Sequence, residues 1–157
     1  MTPTPRVVFR DLDRAECEAI VARNHAGRIA FSFRDKVDIQ PIGYVYEREW
    51  LSARTEQGAK LETLSHSPWV AFEVDEAEGP YDWRSVVIRG TVYLMPEDSP
   101  EHAETSAAIR RVIPDAFTES DPAPQRNVVF RIYIREMTGR SASTREAASA
   151  DRAAPPV

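Results

Sequence analysis

The 157-residue chain carries 20 basic and 25 acidic residues, a formal net charge of −5, and 42% hydrophobic residues. That balance suits one domain with its own core and excludes both a disordered chain and nucleic-acid binding carried by bulk charge. A single cysteine, Cys17, leaves no disulfide framework; with no signal-type apolar segment and no apolar run of membrane-spanning length, a cytoplasmic protein is expected.

The first predicted element is a helix from Asp13 to Arg23, opened by the Asp13-x-x-Glu16 capping pattern, with Leu12, Ala15, Ala19 and Ala22 as its apolar stripe and Ile20 beside it. From Gly27 to Trp83, β-branched and aromatic residues broken by short turns predict an antiparallel meander. Its strands are expected at 28–33, at 37–47 after a turn at Arg34-Asp35-Lys36, at 49–55 and at 69–75. Pro41 inside the second of these demands an edge, a bulge or a place where no ladder donor is needed. A short helix carrying Leu61 and Leu64 must stop at Pro68. The acidic run Asp75-Glu76-Glu78 reads as a solvated turn before a fifth strand at 85–95.

Ser99-Pro100-Glu101 starts a helix that runs to about Val112, and a proline-rich connector leads to a last strand at 127–137. After Arg140 large apolar residues almost vanish, so 1–140 is expected to be the domain and 141–157 a disordered tail. Six strands with peripheral helices and no alternating βα rhythm predict a mainly β protein, a small antiparallel barrel.

His25, His66 and His102 share no metal-ligand spacing, and no metal site is expected. No nucleophile elbow or reactive cysteine stands out, so catalytic residues stay unassigned and any reactive group would arrive as a cofactor. Trp50, Trp69 and Trp83 read first as core residues. One cluster is unusual. In LSARTEQGAK, Arg54, Thr55, Gly58 and Lys60 combine a forked donor, a hydroxyl, a bare backbone and a point charge at a helix start. Spacing alone leaves a phosphate cradle and a charged surface turn equally open.

Six segments in order, GRIAF (27–31), IQPIGYVYE (39–47), LSARTEQGAKLETL (51–64), SPWVAFEVDE (67–76), WRSVVIRGTV (83–92) and MTGR (137–140), resemble the pyridoxamine 5'-phosphate oxidase-like FMN-binding split-barrel family. The likeness covers about residues 11–140 and is to the short bacterial branch related to nitroimidazole-resistance proteins. The resemblance implies a six-stranded split barrel, Arg54, Thr55 and Lys60 on an FMN phosphate with Gly58 allowing close approach, and Ile42, Gly43 and Tyr44 along the flavin ring. It further implies Trp83 and Ser85 at the same pocket, and a homodimer with FMN at its interface acting on a small-molecule redox substrate. Where the true oxidases carry an arginine-x-histidine pair, this chain has Glu136-Met137-Thr138-Gly139-Arg140, which speaks against vitamin B6 oxidation. A deazaflavin or haem in the same groove, or a non-catalytic flavin-binding module, are the alternative readings.

Overall fold

The computed structural model describes residues 5–144. Its elements run β1 (Val8–Leu12), α1 (Arg14–Arg23), β2 (Ala26–Phe33), β3 (Lys36–Gly43), β4 (Val45–Glu47), β5 (Trp50–Thr55), α2 (Ala59–His66), β6 (Trp69–Gly79), β7 (Asp82–Leu94), α3 (Pro100–Arg110) and β8 (Val128–Ser143). The strands pair antiparallel in the order β3-β2-β6-β7-β8-β5-β4, with β1 added to β8. Seen from β8, β7 lies along one side, while the other side is shared by β5 near its start and β1 near its end. This shared side splits the barrel.

The expected second strand is two strands. It breaks at Tyr44, so that β3 pairs with β2 at one end of the sheet and β4 with β5 at the other. One residue therefore joins the two ends of the path, and the Tyr44 N–H donates to the His25 carbonyl at 2.9 Å, extending the β2–β3 ladder by one residue. Pro41 sits on β3, whose sole strand partner among the described residues is β2, which is the edge its missing N–H requires. Arg34 and Asp35 turn the β2–β3 hairpin in the left-handed region, at φ 50° and 63°.

Inward-facing Ile29, Leu51, Phe72, Val74, Val86, Ile88, Phe130 and Ile132 fill the barrel. The predicted capping box at Asp13 and Glu16 is present, but α1 buries Cys17, Ile20 and Val21 rather than the alanine stripe. Larger side chains bury more apolar area, and they set the packed face. Gly90 lies at a bulge opposite β8, where an added Cβ would strike the Tyr133 carbonyl oxygen.

Three further expectations are corrected. Val8–Leu12 is a strand that pairs with Gly139–Ser143, so β8 runs past Arg140. The rest of the expected tail, 145–157, lies outside the described residues. Asp75, Glu76 and Glu78 belong to β6 rather than to a turn, and the charges of the first two are met by arginines on neighbouring elements, Arg28 to Asp75 and Arg23 and Arg84 to Glu76. None of the three tryptophans is buried, Trp69 least of all at 61% exposed. Among the described residues no helix is long and apolar enough to cross a membrane.

Candidate functional site

α3 and the connector after it cover the outer face of β5 and β8 through Ile109, Ala116 and Val129, packed by Met95, Ile113 and Phe117. They leave a cleft of about 310 Å³ beside the β3–β4 hinge, walled by Gly43, Tyr44, Ser52, Ile109 and Ile113. A second cleft of about 430 Å³ opens at the end of β5, lined by Pro41, Thr55, Gly58, Lys60 and Arg126. The two meet at Arg54 and Arg126, which line both. One end is therefore basic and the other largely apolar, within the size range of small-molecule sites.

The basic end grows from local sequence. β5 alternates, so Leu51, Ala53 and Thr55 face inward while Ser52 and Arg54 face α3. The chain then turns into α2, whose N-cap is Gly58, a residue that offers no side-chain cap to the first-turn N–H groups. These free donors favour an anion. Burial, and next the nearby charge of Arg126, push the Lys60 ammonium below its ordinary pKa, against a weaker pull from Glu56 and Asp38.

Arg54 is differently placed from the other basic residues. Its guanidinium grips both oxygens of Asp121 at 2.6 and 3.0 Å, and it lies over the Phe117 ring at 5.2 Å. The pair is buried, at 6% and 3% side-chain exposure. The Arg54 hydrogen bonds hold the Asp121 carboxyl well below the usual carboxylate range, helped by N–H donors from Ala123 and Phe117.

Of the remaining expected residues, Gly43 and Tyr44 reach the apolar cleft. Ile42 turns into the core and lines neither cleft. The Tyr44 ring also turns inward, packing edge-on against Phe72 at 5.2 Å while its hydroxyl donates to the Val21 carbonyl at 2.7 Å. Ser85 and Trp83 do not line either cleft. Ser85 instead donates to Glu73 at 2.8 Å, and Trp83 meets Phe9 at 6.3 Å. Burial raises the Glu73 pKa, with the Ser85 hydrogen bond opposing it and Asp75 reinforcing it.

Arg126, Asp121 and His25 belong to the clefts or their frame without having been expected there. Arg126 and Asp121 come from the connector, where no local pattern marks them. His66 stacks on Phe33 at 5.9 Å, and His102 lies near the Ser106 hydroxyl. Among the described residues no cluster of His, Cys, Asp and Glu is suited to hold a metal ion.

Residues 13–141 match the family model described as pyridoxamine 5'-phosphate oxidase. An uncharacterized protein of Rhizobium meliloti (strain 1021) is 27% identical over 147 residues, which cover 87% of this chain and 97% of the relative. The crystal structure of an FAD-binding protein from Mesorhizobium loti is similar at a TM-score of 0.72 and 28% identity, covering 88% of this chain and 99% of the other. HutZ, the heme storage protein of Vibrio cholerae, shares the fold at a TM-score of 0.66 and 12% identity, covering 79% of this chain and 92% of its own.

Proposed function

Because the chain belongs to the pyridoxamine 5'-phosphate oxidase family, we propose that it is a flavin-binding oxidoreductase, with FMN held noncovalently in the paired clefts. The observation that carries this reading is the joining of a basic cleft at an uncapped helix start to an apolar one beside Gly43. Phosphate and flavin ring need those two environments side by side. The FAD-binding relative from Mesorhizobium loti supports a flavin, whereas the likeness to HutZ is one of fold alone.

When bound, a flavin supplies hydride exchange at its ring. The chain's own residues bind and orient. Lys60, Thr55 and the first N–H groups of α2 hold the anion, Gly43 and the Tyr44 backbone border the ring, and Ile109, Val112 and Ile113 exclude water from one side. The substrate is a small redox-active molecule other than a B6 vitamer, since Glu136, Met137 and Thr138 occupy the stretch of β8 where an arginine-x-histidine pair would be needed.

We also propose a cytoplasmic homodimer. Val37, Ile39 and Trp69 stand 78%, 60% and 61% exposed, and strand register puts them on one outer face of the sheet with Pro41, Gly43 and Ser85. Such a strip marks an interface. A second copy docked there is the route by which Trp83 and Ser85, which miss the clefts of their own chain, reach a flavin.

An absorbance scan of the natively purified protein tests the cofactor. A flavin spectrum, or a rise in melting temperature on adding FMN, is expected, because a ligand at 100 times its Kd adds about 2.7 kcal/mol of stability. A haem or deazaflavin spectrum, or a colourless protein that FMN leaves unshifted, overturns the assignment.

A further inference from the structure

We propose that Arg126, and not Arg54, is the cation that works with Lys60 on the bound phosphate, and that Arg54 and Asp121 form the brace that positions it; this rests on the flavin reading above. Arg54 has spent its forked face. Both terminal nitrogens are hydrogen-bonded to Asp121, the ring of Phe117 lies across the guanidinium, and the pair is largely buried. Turning Arg54 toward a ligand would strand a buried carboxylate.

Asp121 hands the constraint on. Its two oxygens also accept the Phe117 N–H at 2.7 Å and the Ala123 N–H at 2.9 Å. The Ala123 carbonyl in turn accepts the Arg126 N–H at 3.0 Å. A continuous set of hydrogen bonds thus runs from β5 through the connector to the backbone of Arg126. It ends at the basic cleft.

Arg126 and Lys60 both line that cleft, and neither forms an ion pair among the described residues. Two cations sharing a cleft repel one another unless an anion lies between them. Glu56 and Asp38 offset part of the charge on Lys60, but neither bonds to it. The free N–H groups after Gly58 complete a donor set converging on the same space. The ligand part is a phosphate monoester or diphosphate, as FMN and FAD each carry.

The test compares FMN with riboflavin, which has the same ring and no phosphate, by fluorescence titration. Arg126→Gln is expected to weaken FMN about tenfold, the worth of one charged hydrogen bond, and to leave riboflavin unchanged. Asp121→Asn, read as the FMN-to-riboflavin affinity ratio, is expected to lower that ratio similarly and to add little on top of Arg126→Gln. A purely structural role would weaken both ligands equally. An unchanged ratio in Arg126→Gln overturns the proposal, as does a fall in the ratio from Arg54→Gln that Arg126→Gln does not share. Should the wild type bind neither flavin, the flavin reading falls, and inorganic pyrophosphate then decides the anion site. A rise in melting temperature that Arg126→Gln abolishes sustains it, and no rise ends it.

Discussion

Replacing Tyr44 by Phe removes one oxygen from the residue that joins the two ends of the barrel. Val21 lies in the last turn of α1, where carbonyls have no partner within the helix. The Ile20 carbonyl is satisfied by the Asn24 side chain at 2.8 Å, and the Val21 carbonyl by the Tyr44 hydroxyl at 2.7 Å. With Tyr44 only 3% exposed, no water replaces the lost donor. A buried carbonyl left unpaired costs about 1–3 kcal/mol, part of which is returned because Phe no longer has a hydroxyl to desolvate, so about 1–2 kcal/mol is expected. The edge-on contact with Phe72 survives, since the ring is unchanged. In thermal unfolding this is a fall of roughly 3–6 °C, and in urea a lower midpoint at unchanged slope. Burial holds the Tyr44 phenol above its ordinary pKa, so the loss should be the same at pH 6 and pH 9. A midpoint within about 0.3 kcal/mol of wild type, or a loss confined to one pH, would refute the claim that this hydroxyl anchors α1 to the hinge.

Glu76 accepts hydrogen bonds from Arg23, Asn24 and Arg84, and the Arg23 contact above all holds its pKa at about 2 instead of 4.5. A depressed carboxylate stabilises above its unfolded pKa and loses that contribution as pH falls through the folded one. Wild type should therefore lose more stability than Glu76→Gln between about pH 4.5 and 2, measured by urea midpoints, and parallel curves would remove Glu76 from the account. At the exposed strip, Ile39→Glu should convert a dimer to a monomer in gel filtration while leaving the circular dichroism spectrum unchanged; an unaltered elution volume would place the interface elsewhere.

What the sequence shows of this fold depends on whether a segment's structure is locally encoded. The capping box is legible because Asp13 and Glu16 are three residues apart and bond to each other. The edge status of β3 is legible because Pro41 lacks a donor wherever it stands. β1 and the end of β8 are not: GRSAS carries no large apolar residue and is a strand through its ladders with β1 and β7, and VFRDL is one through its ladder with β8. The acidic residues of β6 look like a solvated turn because the arginines that meet them come from α1, β2 and β7. The break at Tyr44 is hidden for a related reason. Val37 to Glu47 has one continuous strand pattern, and only closure of the sheet onto itself assigns its halves to opposite ends.

The same distinction divides the candidate site. Thr55, Gly58 and Lys60 are neighbours in sequence and line one cleft, so the LSARTEQGAK cluster was readable as a place for an anion. Its most conspicuous member, Arg54, is bonded to a group 67 positions away, which no local pattern displays. An arginine beside an empty space and one facing a buried aspartate are identical in sequence, yet the second has its terminal fork already engaged. Asp121 thus ties the connector to β5, and the connector carries Arg126 to the cleft that Arg54 also lines. On the proposed assignment, anion affinity depends on a residue that local pattern reading passes over, and Arg54 bears on it through Asp121 and the backbone of Ala123.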